Sequence, residues 1–158
     1  MTQEDKDLLL KDLCARLPYG LKVYYNNGQL TGNSVIEDLY RVTNKFRAEV
    51  AVIEDEYGLC GMSLDNVKPY LFPMSSMTDD QLYKLKEITD FRHNHNTLEL
   101  VEWTETHTTL EFWLEEVPQY KVIEVFDWLN KNHFDYRGLI EKGLAIDATG
   151  KNIYLMKE

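Results

Sequence analysis

The sequence predicts an α+β fold, and three observations carry that prediction. Residues 21–64 are short apolar-rich segments punctuated by turn signals, the pattern of a small antiparallel sheet. Thr78 and Gln81 bracket the start of an amphipathic segment as a capping box. From Tyr120 to Lys131 the polar residues Lys121, Glu124, Asp127 and Lys131 recur every three or four positions in otherwise apolar sequence, which places them on one narrow stripe of a helix. Such a helix is expected to be covered on several sides, near the middle of a domain.

Thr2 is placed to cap a first helix, with Asp5 at its third helical position and Glu4 beside the positive helix end. Leu9, Leu10, Leu13, Cys14 and Leu17 would form its apolar face, and Pro18 and Gly20 stop it. Leu21–Tyr25 reads as a strand, and Asn26-Asn27-Gly28 suits the positive φ of a tight hairpin turn. Gly32-Asn33 and Asn44-Lys45 read as further turns, and the pattern of Val35–Val42 leaves strand or helical turn open. Phe46–Ile53 alternates as a strand, Asp55–Gly58 closes it, and Leu59–Leu64 returns as its partner. Turns this closely spaced predict a small, strongly bent antiparallel sheet or an SH3-sized barrel.

Val67–Pro73 is extended, because the residue before each proline is pushed out of the helical region. The helix from Asp79 to about Thr89 follows, burying Leu82, Leu85 and Ile88, with Met77 and Leu82 as a hydrophobic staple. Leu98 and Leu100, then Leu110, Phe112 and Leu114, alternate with glutamates in two strands of a hairpin. The C-terminal half therefore reads helix, β-hairpin, helix, extended tail. No repeat or low-complexity run interrupts residues 1–158, so a single domain is expected, with 70–76 as the plausible seam.

Composition narrows the function classes. With 44% hydrophobic and 12% aromatic residues among 158, the chain has enough apolar surface for a core without metal or disulfide. Cys14 and Cys60 stand alone, without a CxxC, and read as two buried thiols. The start MTQEDKD is acidic and only Leu8–Leu10 follow as an apolar run, too short for a signal or membrane segment. A cytoplasmic protein is expected.

The net charge is −10. Polyanions bind by exchanging counterions for Lys and Arg contacts, so direct nucleic-acid binding is not expected. Acid concentrates between Thr97 and Asp127, where Lys121 is the lone base. Glu99, Glu102, Glu111, Glu115 and Glu116 form a candidate surface for a basic protein partner.

Of the chemistry-bearing motifs, His95-Asn-Thr-Leu98 and His107-Thr-Thr-Leu110 resemble the H-x-T-x signature of the 2H phosphoesterases. Their separation of twelve residues departs from that family, which spreads its motifs across a domain. His93 and His95 have the spacing of an H-x-H metal pair, although a polar loop explains them as well. His133, Asp135, Tyr136 and Arg137 cluster just past a helix end, followed by Gly138. They suit a polar clasp, or a seat for a small anion or carboxylate. No cofactor motif is present, and no cofactor is expected.

Leu13–Gly20, Val67–Thr78, Phe126–Ile140 and Gly143–Ala145 together resemble a family of short uncharacterised Bacteroidetes proteins, often from prophage or mobile elements. That resemblance implies a phage-related origin and carries over no catalytic residue. The leading expectation is a non-enzymatic acidic interaction protein. A metal-dependent or histidine-based phosphoester hydrolase using His93, His95 or the His133 cluster is the alternative, and a phage structural component a further one.

Overall fold

A computed structural model describes residues 1–42, 48–55, 58–89 and 119–154. The fold is α+β, and the chain divides into two compact units. One comprises Met1–Leu71 with Leu139–Glu158, the other Phe72–Gly138. No helix among the described residues is long and apolar enough to cross a membrane.

The first unit opens with α1, Gln3–Arg16. Its start is fixed by a reciprocal capping box: Asp5 N–H donates to Thr2 Oγ1 and Thr2 N–H to Asp5 Oδ2, each at 3.1 Å. The Thr2 hydroxyl bond is the main reason the Asp5 carboxyl lies below its ordinary pKa. Leu17–Tyr19 tightens into a 3-10 turn and Gly20, at φ +64°, ends it. Leu9 and Leu13 are fully buried, each worth about 1.5–3 kcal/mol of apolar burial. Cys14 is exposed and Cys60 half-buried, so neither is the buried thiol expected. Cys14 lies one residue beyond the buried stripe, which runs Leu9, Asp12, Leu13, Arg16 at helical spacing.

Strands β1 (Lys22–Asn26) and β2 (Thr31–Val42) form a hairpin around residues 27–30. Asn26 Oδ1 accepts from Gly28 N–H at 2.9 Å, and Asn27 Oδ1 accepts from the N–H groups of Gln29 and Leu30. Gly28 takes φ +88°, so the Asn-Asn-Gly signal marks a real turn of four loop residues. Gly32-Asn33, expected as a turn, lies inside β2. The glycine is there for cross-strand space: Gly32 pairs with Tyr25, and a Cβ on it would meet Tyr25 Oη at 2.8 Å.

Segment 35–42, left open by its sequence pattern, belongs to the same strand. The first part of β2 pairs with β1, and from Ile36 onward it pairs with β3 (Ala48–Asp55), with a register shift between Ile36 and Asp38. Such an irregularity bends a strand and increases its twist. Strand β4 (Gly58–Ser63) pairs with β3, a 3-10 turn at Leu64–Asn66 follows, and β5 (Val67–Leu71) returns to β1. A two-residue parallel strand, β6 (Ile146–Asp147), completes the order β4-β3-β2-β1-β5-β6.

Val23 on β1, Ile36 on β2, Met62 on β4 and Val67 and Leu71 on β5 share one core cluster with Leu9 and Leu13. Strands β4 and β1 are separated by two others, so the sheet curls around this core. Among the described residues β4 and β6 remain as the edges of the sheet, which is mixed rather than wholly antiparallel because β5 and β6 run parallel. The tail enters as turns. Leu139, Leu144 and Ala145 are buried in the same cluster, Gly143 takes φ +69°, and the chain extends only at Ile146.

In the second unit, α2 (Asp79–Thr89) starts at the predicted capping box: Thr78 N–H donates to Gln81 Oε1 at 2.9 Å and Gln81 N–H to Thr78 Oγ1 at 3.3 Å. Met77 and Leu82 share the core cluster, as a staple requires. That core joins Leu82 and Leu85 to Val125 and Leu129 of α3 (Gln119–Lys131). Glu124, Asp127 and Lys131 are exposed as expected of the polar stripe. Ile123 is 77% exposed, because four residues from Asp127 it falls on that stripe rather than opposite it. The hairpin expected between residues 98 and 114 lies outside the described residues.

Candidate functional site

The polar cluster grows out of the end of α3. Phe134 N–H donates to Leu129 O at 3.0 Å and His133 N–H to Asn130 O at 3.1 Å. With His133 at φ +58°, this is a Schellman ending. Glycine usually holds the left-handed position; here the imidazole does, and His133 is only 7% exposed. The chain then runs beside Phe72: Phe72 N–H donates to His133 O at 2.9 Å and Asp135 N–H to Phe72 O at 2.7 Å. This is the parallel bridge Phe72–Phe134.

Aromatic packing fixes the rest. The Phe134 ring stacks on Trp128 at 5.7 Å and 15° between planes, and Tyr136 packs on Phe126 at 5.2 Å. Tyr136 Oη donates to Asn130 Oδ1 at 2.9 Å and accepts from Arg137 Nη2 at 2.8 Å. The Arg137 guanidinium also lies 4.7 Å from the centroid of the Tyr136 ring. His133, Asp135 and Tyr136 are buried and Arg137 is half-buried. The backbone bonds of His133 and Asp135 tie the exit of the second unit to its entrance at Phe72.

The structure adds a polar network the sequence reading missed. Arg16 Nε donates to Asp12 Oδ2 at 2.8 Å and Nη2 to Asp12 Oδ1 at 3.1 Å, with both side chains fully buried. Nearby, Tyr154 Oη donates to Tyr70 O at 2.7 Å and accepts from Lys22 N–H at 3.4 Å. Burial pushes the Tyr154 phenol well above its ordinary pKa of 10.0, with the Lys22 N–H and Arg16 pulling the other way. The positions Leu9, Asp12, Leu13 and Arg16 were the available signal, since a pair at i and i+4 within an apolar stripe is buried with it.

Glu99, Glu102, Glu111, Glu115 and Glu116, with His93, His95 and His107, lie outside the described residues. Among the described residues, no three His, Cys, Asp or Glu side chains are grouped to hold a metal ion. Comparison of the chain with protein-family models, curated proteins and solved structures gives no match.

Proposed function

We propose that the protein is a non-enzymatic interaction protein whose second unit docks a basic protein partner in the cytoplasm. One observation carries the reading: the acidity is segregated by unit. Phe72–Gly138 holds 13 acidic and 6 basic residues, −7 of the net −10, while the longer first unit holds 14 and 11, or −3. Asp79, Asp80 and Glu87 on α2 and Glu124 and Asp127 on α3 are exposed, so part of this charge faces solvent. The six glutamates from Glu99 to Glu116 add to it in sequence.

A compact acidic unit attracts a cationic surface and repels polyanions, which favours a protein over nucleic acid as ligand. The resemblance to prophage-borne proteins makes a nucleic-acid-binding protein the partner class, with the acidic unit occupying its DNA site.

The test is a pull-down from a Bacteroidetes lysate washed across a salt series. A basic partner should be retained at low salt and released as screening shortens to about 8 Å near physiological ionic strength and below that at higher salt. Reversing Glu111, Glu115 and Glu116 to lysine should shift release to lower salt. Retention insensitive to both salt and charge reversal overturns the reading.

A further inference from the structure

The segment after β6 is anchored at its two ends and open between them. Ala148 is buried, and its N–H donates to Leu71 O at 2.8 Å. Thr149, Gly150, Lys151 and Asn152 are exposed, and Gly150 takes φ +71°. Ile153 and Tyr154 are then half-buried, with the Tyr154 hydroxyl at the seam between β1 and β5. That hydroxyl donates to Tyr70 O at 2.7 Å and accepts from Lys22 N–H at 3.4 Å. Two main-chain groups of neighbouring strands are thus turned toward one phenolic oxygen. Burial raises the pKa of the phenol, the Lys22 N–H lowers it, and Arg16 and Asp12 act on it in opposite senses. The ring therefore also lies beside the fully buried Asp12–Arg16 pair. The seam reads its hydroxyl both as a donor and as an acceptor.

We propose that the Lys22–Tyr70 seam is a binding site for a phenolic ring, and that Thr149–Tyr154 is a strap that fills it in cis. A tyrosine carried on exposed residues is an anchor on a tether, with a large apolar body and one polar end. A short tether holds its anchor at an effective concentration on the order of millimolar. A phenol supplied in trans competes with the strap, and its apparent affinity falls with the fraction of open seams. The two main-chain groups set the ligand class. A ring of the same shape without a hydroxyl forfeits both bonds, and a site built to bind a hydroxyl rejects the analogue that lacks it. A free phenol and a tyrosine presented by a protein segment share this chemistry. The seam and its strap lie in the first unit, so this inference goes beyond the acidic-unit reading and stands or falls separately from it.

The experiment uses the full chain carrying Tyr154→Ala, with p-cresol, toluene and the acetylated, amidated heptapeptide Ala-Thr-Gly-Lys-Asn-Ile-Tyr supplied in trans. Binding is followed at the amide signals of Lys22 and Leu71, whose peptide groups hold the two bonding atoms. p-Cresol should shift both signals and slow exchange of the Lys22 amide, with toluene weaker by about tenfold or more. In the unsubstituted chain the seated strap should weaken p-cresol by about tenfold or more. A heptapeptide tighter than p-cresol supports the site with a protein-borne tyrosine as its ligand, and equal affinities support it with the small phenol. If Tyr154→Ala does not fold, Tyr154→Phe replaces it: the ring stays, the hydroxyl goes, and p-cresol should displace this strap at lower concentration than the native one. Equal binding of p-cresol and toluene, or no shift at Lys22 and Leu71 in either variant, overturns the site. A Lys22 amide that exchanges as slowly in ligand-free Tyr154→Ala as in the unsubstituted chain overturns it too, because the strands would then have closed on each other.

Discussion

The Tyr154 hydroxyl replaces a rung of the sheet between β1 and β5. Pairing of those strands is in register from Tyr25–Val67 to Val23–Pro69. The next pair would be Lys22 with Tyr70. There the Tyr154 Oη stands between the strands, accepting from Lys22 N–H at 3.4 Å and donating to Tyr70 O at 2.7 Å. A residue of the C-terminal tail thus completes a backbone ladder more than eighty positions away from Tyr70. Tyr154→Phe removes the hydroxyl and leaves both backbone groups short of a partner. Urea unfolding should show a loss of about 1–3 kcal/mol, and an unchanged midpoint would show that the hydroxyl contributes nothing.

The same residue predicts an alkaline limit. Its pKa in the fold lies above the ordinary 10.0, because burial disfavours the phenolate. The unfolded chain therefore loses this proton first. Stability from Tyr154 is fully present below pH 10 and declines as pH rises above it, by at most about 1.4 kcal/mol per pH unit. Tyr70 shifts the same way, again through burial. Unfolding midpoints measured from pH 8 to 11 should fall above pH 10, and less steeply in Tyr154→Phe. Parallel curves for the two proteins would refute the assignment.

Asp12 and Arg16 behave as one unit. Both side chains are fully buried and joined by two hydrogen bonds. Removing one partner strands a buried charge, at about 3–5 kcal/mol, whereas replacing both with apolar residues of similar size is often nearly neutral. Arg16→Met alone should therefore destabilise strongly, and Asp12→Leu with Arg16→Met should recover most of the loss in the same urea titration. A double variant as unstable as the single would mean that the pair itself holds α1 in place.

How far the fold can be read from the chain follows the range of each interaction. Helix α2 was legible because everything that starts it lies within six residues, Met77 to Leu82. The β1–β2 turn was legible for the same reason, with Asn26 and Asn27 bonding their own neighbours. Gly32 was misread because its reason is across the sheet, in the ring of Tyr25. Asp12 and Arg16 were overlooked because charges four apart on a helix normally mark a solvated face, and burial is decided by what covers them. The β5–β6 pairing joins residues some 76 positions apart and left no local mark. Of the candidate site, the cluster at His133 could be named but its burial could not, since that depends on Phe72, Trp128 and Phe126.

His133 offers a test that separates backbone strain from side-chain loss. Its φ of +58° is tolerated by asparagine and strongly disfavoured by β-branched residues. His133→Asn and His133→Val both remove the imidazole, so the difference between them reports the left-handed conformation. Valine should be the less stable by about 1–2 kcal/mol. Equal midpoints would mean that the Schellman ending of α3 does not form in solution.

The second unit should be removable. It is one continuous segment, and its entrance and exit are bonded to each other through Phe72, His133 and Asp135. In the first unit, Leu71 and Leu139 share a core cluster, and Ala148 N–H donates to Leu71 O at 2.8 Å. Deleting Phe72–Gly138 and joining Leu71 to Leu139 through a short Gly-Ser linker therefore removes a closed excursion and leaves the β5–β6 ladder in place. About 90 residues remain, a length at which a single core can stand without metal or disulfide. The truncated chain should unfold cooperatively, carry a net charge of −3 rather than −10, and lose salt-dependent retention of a basic partner. A truncated chain that binds hydrophobic dye and unfolds without cooperativity would show that the first unit depends on the second for its stability. A truncated chain that folds and still retains the lysate partner would move the docking surface to the first unit.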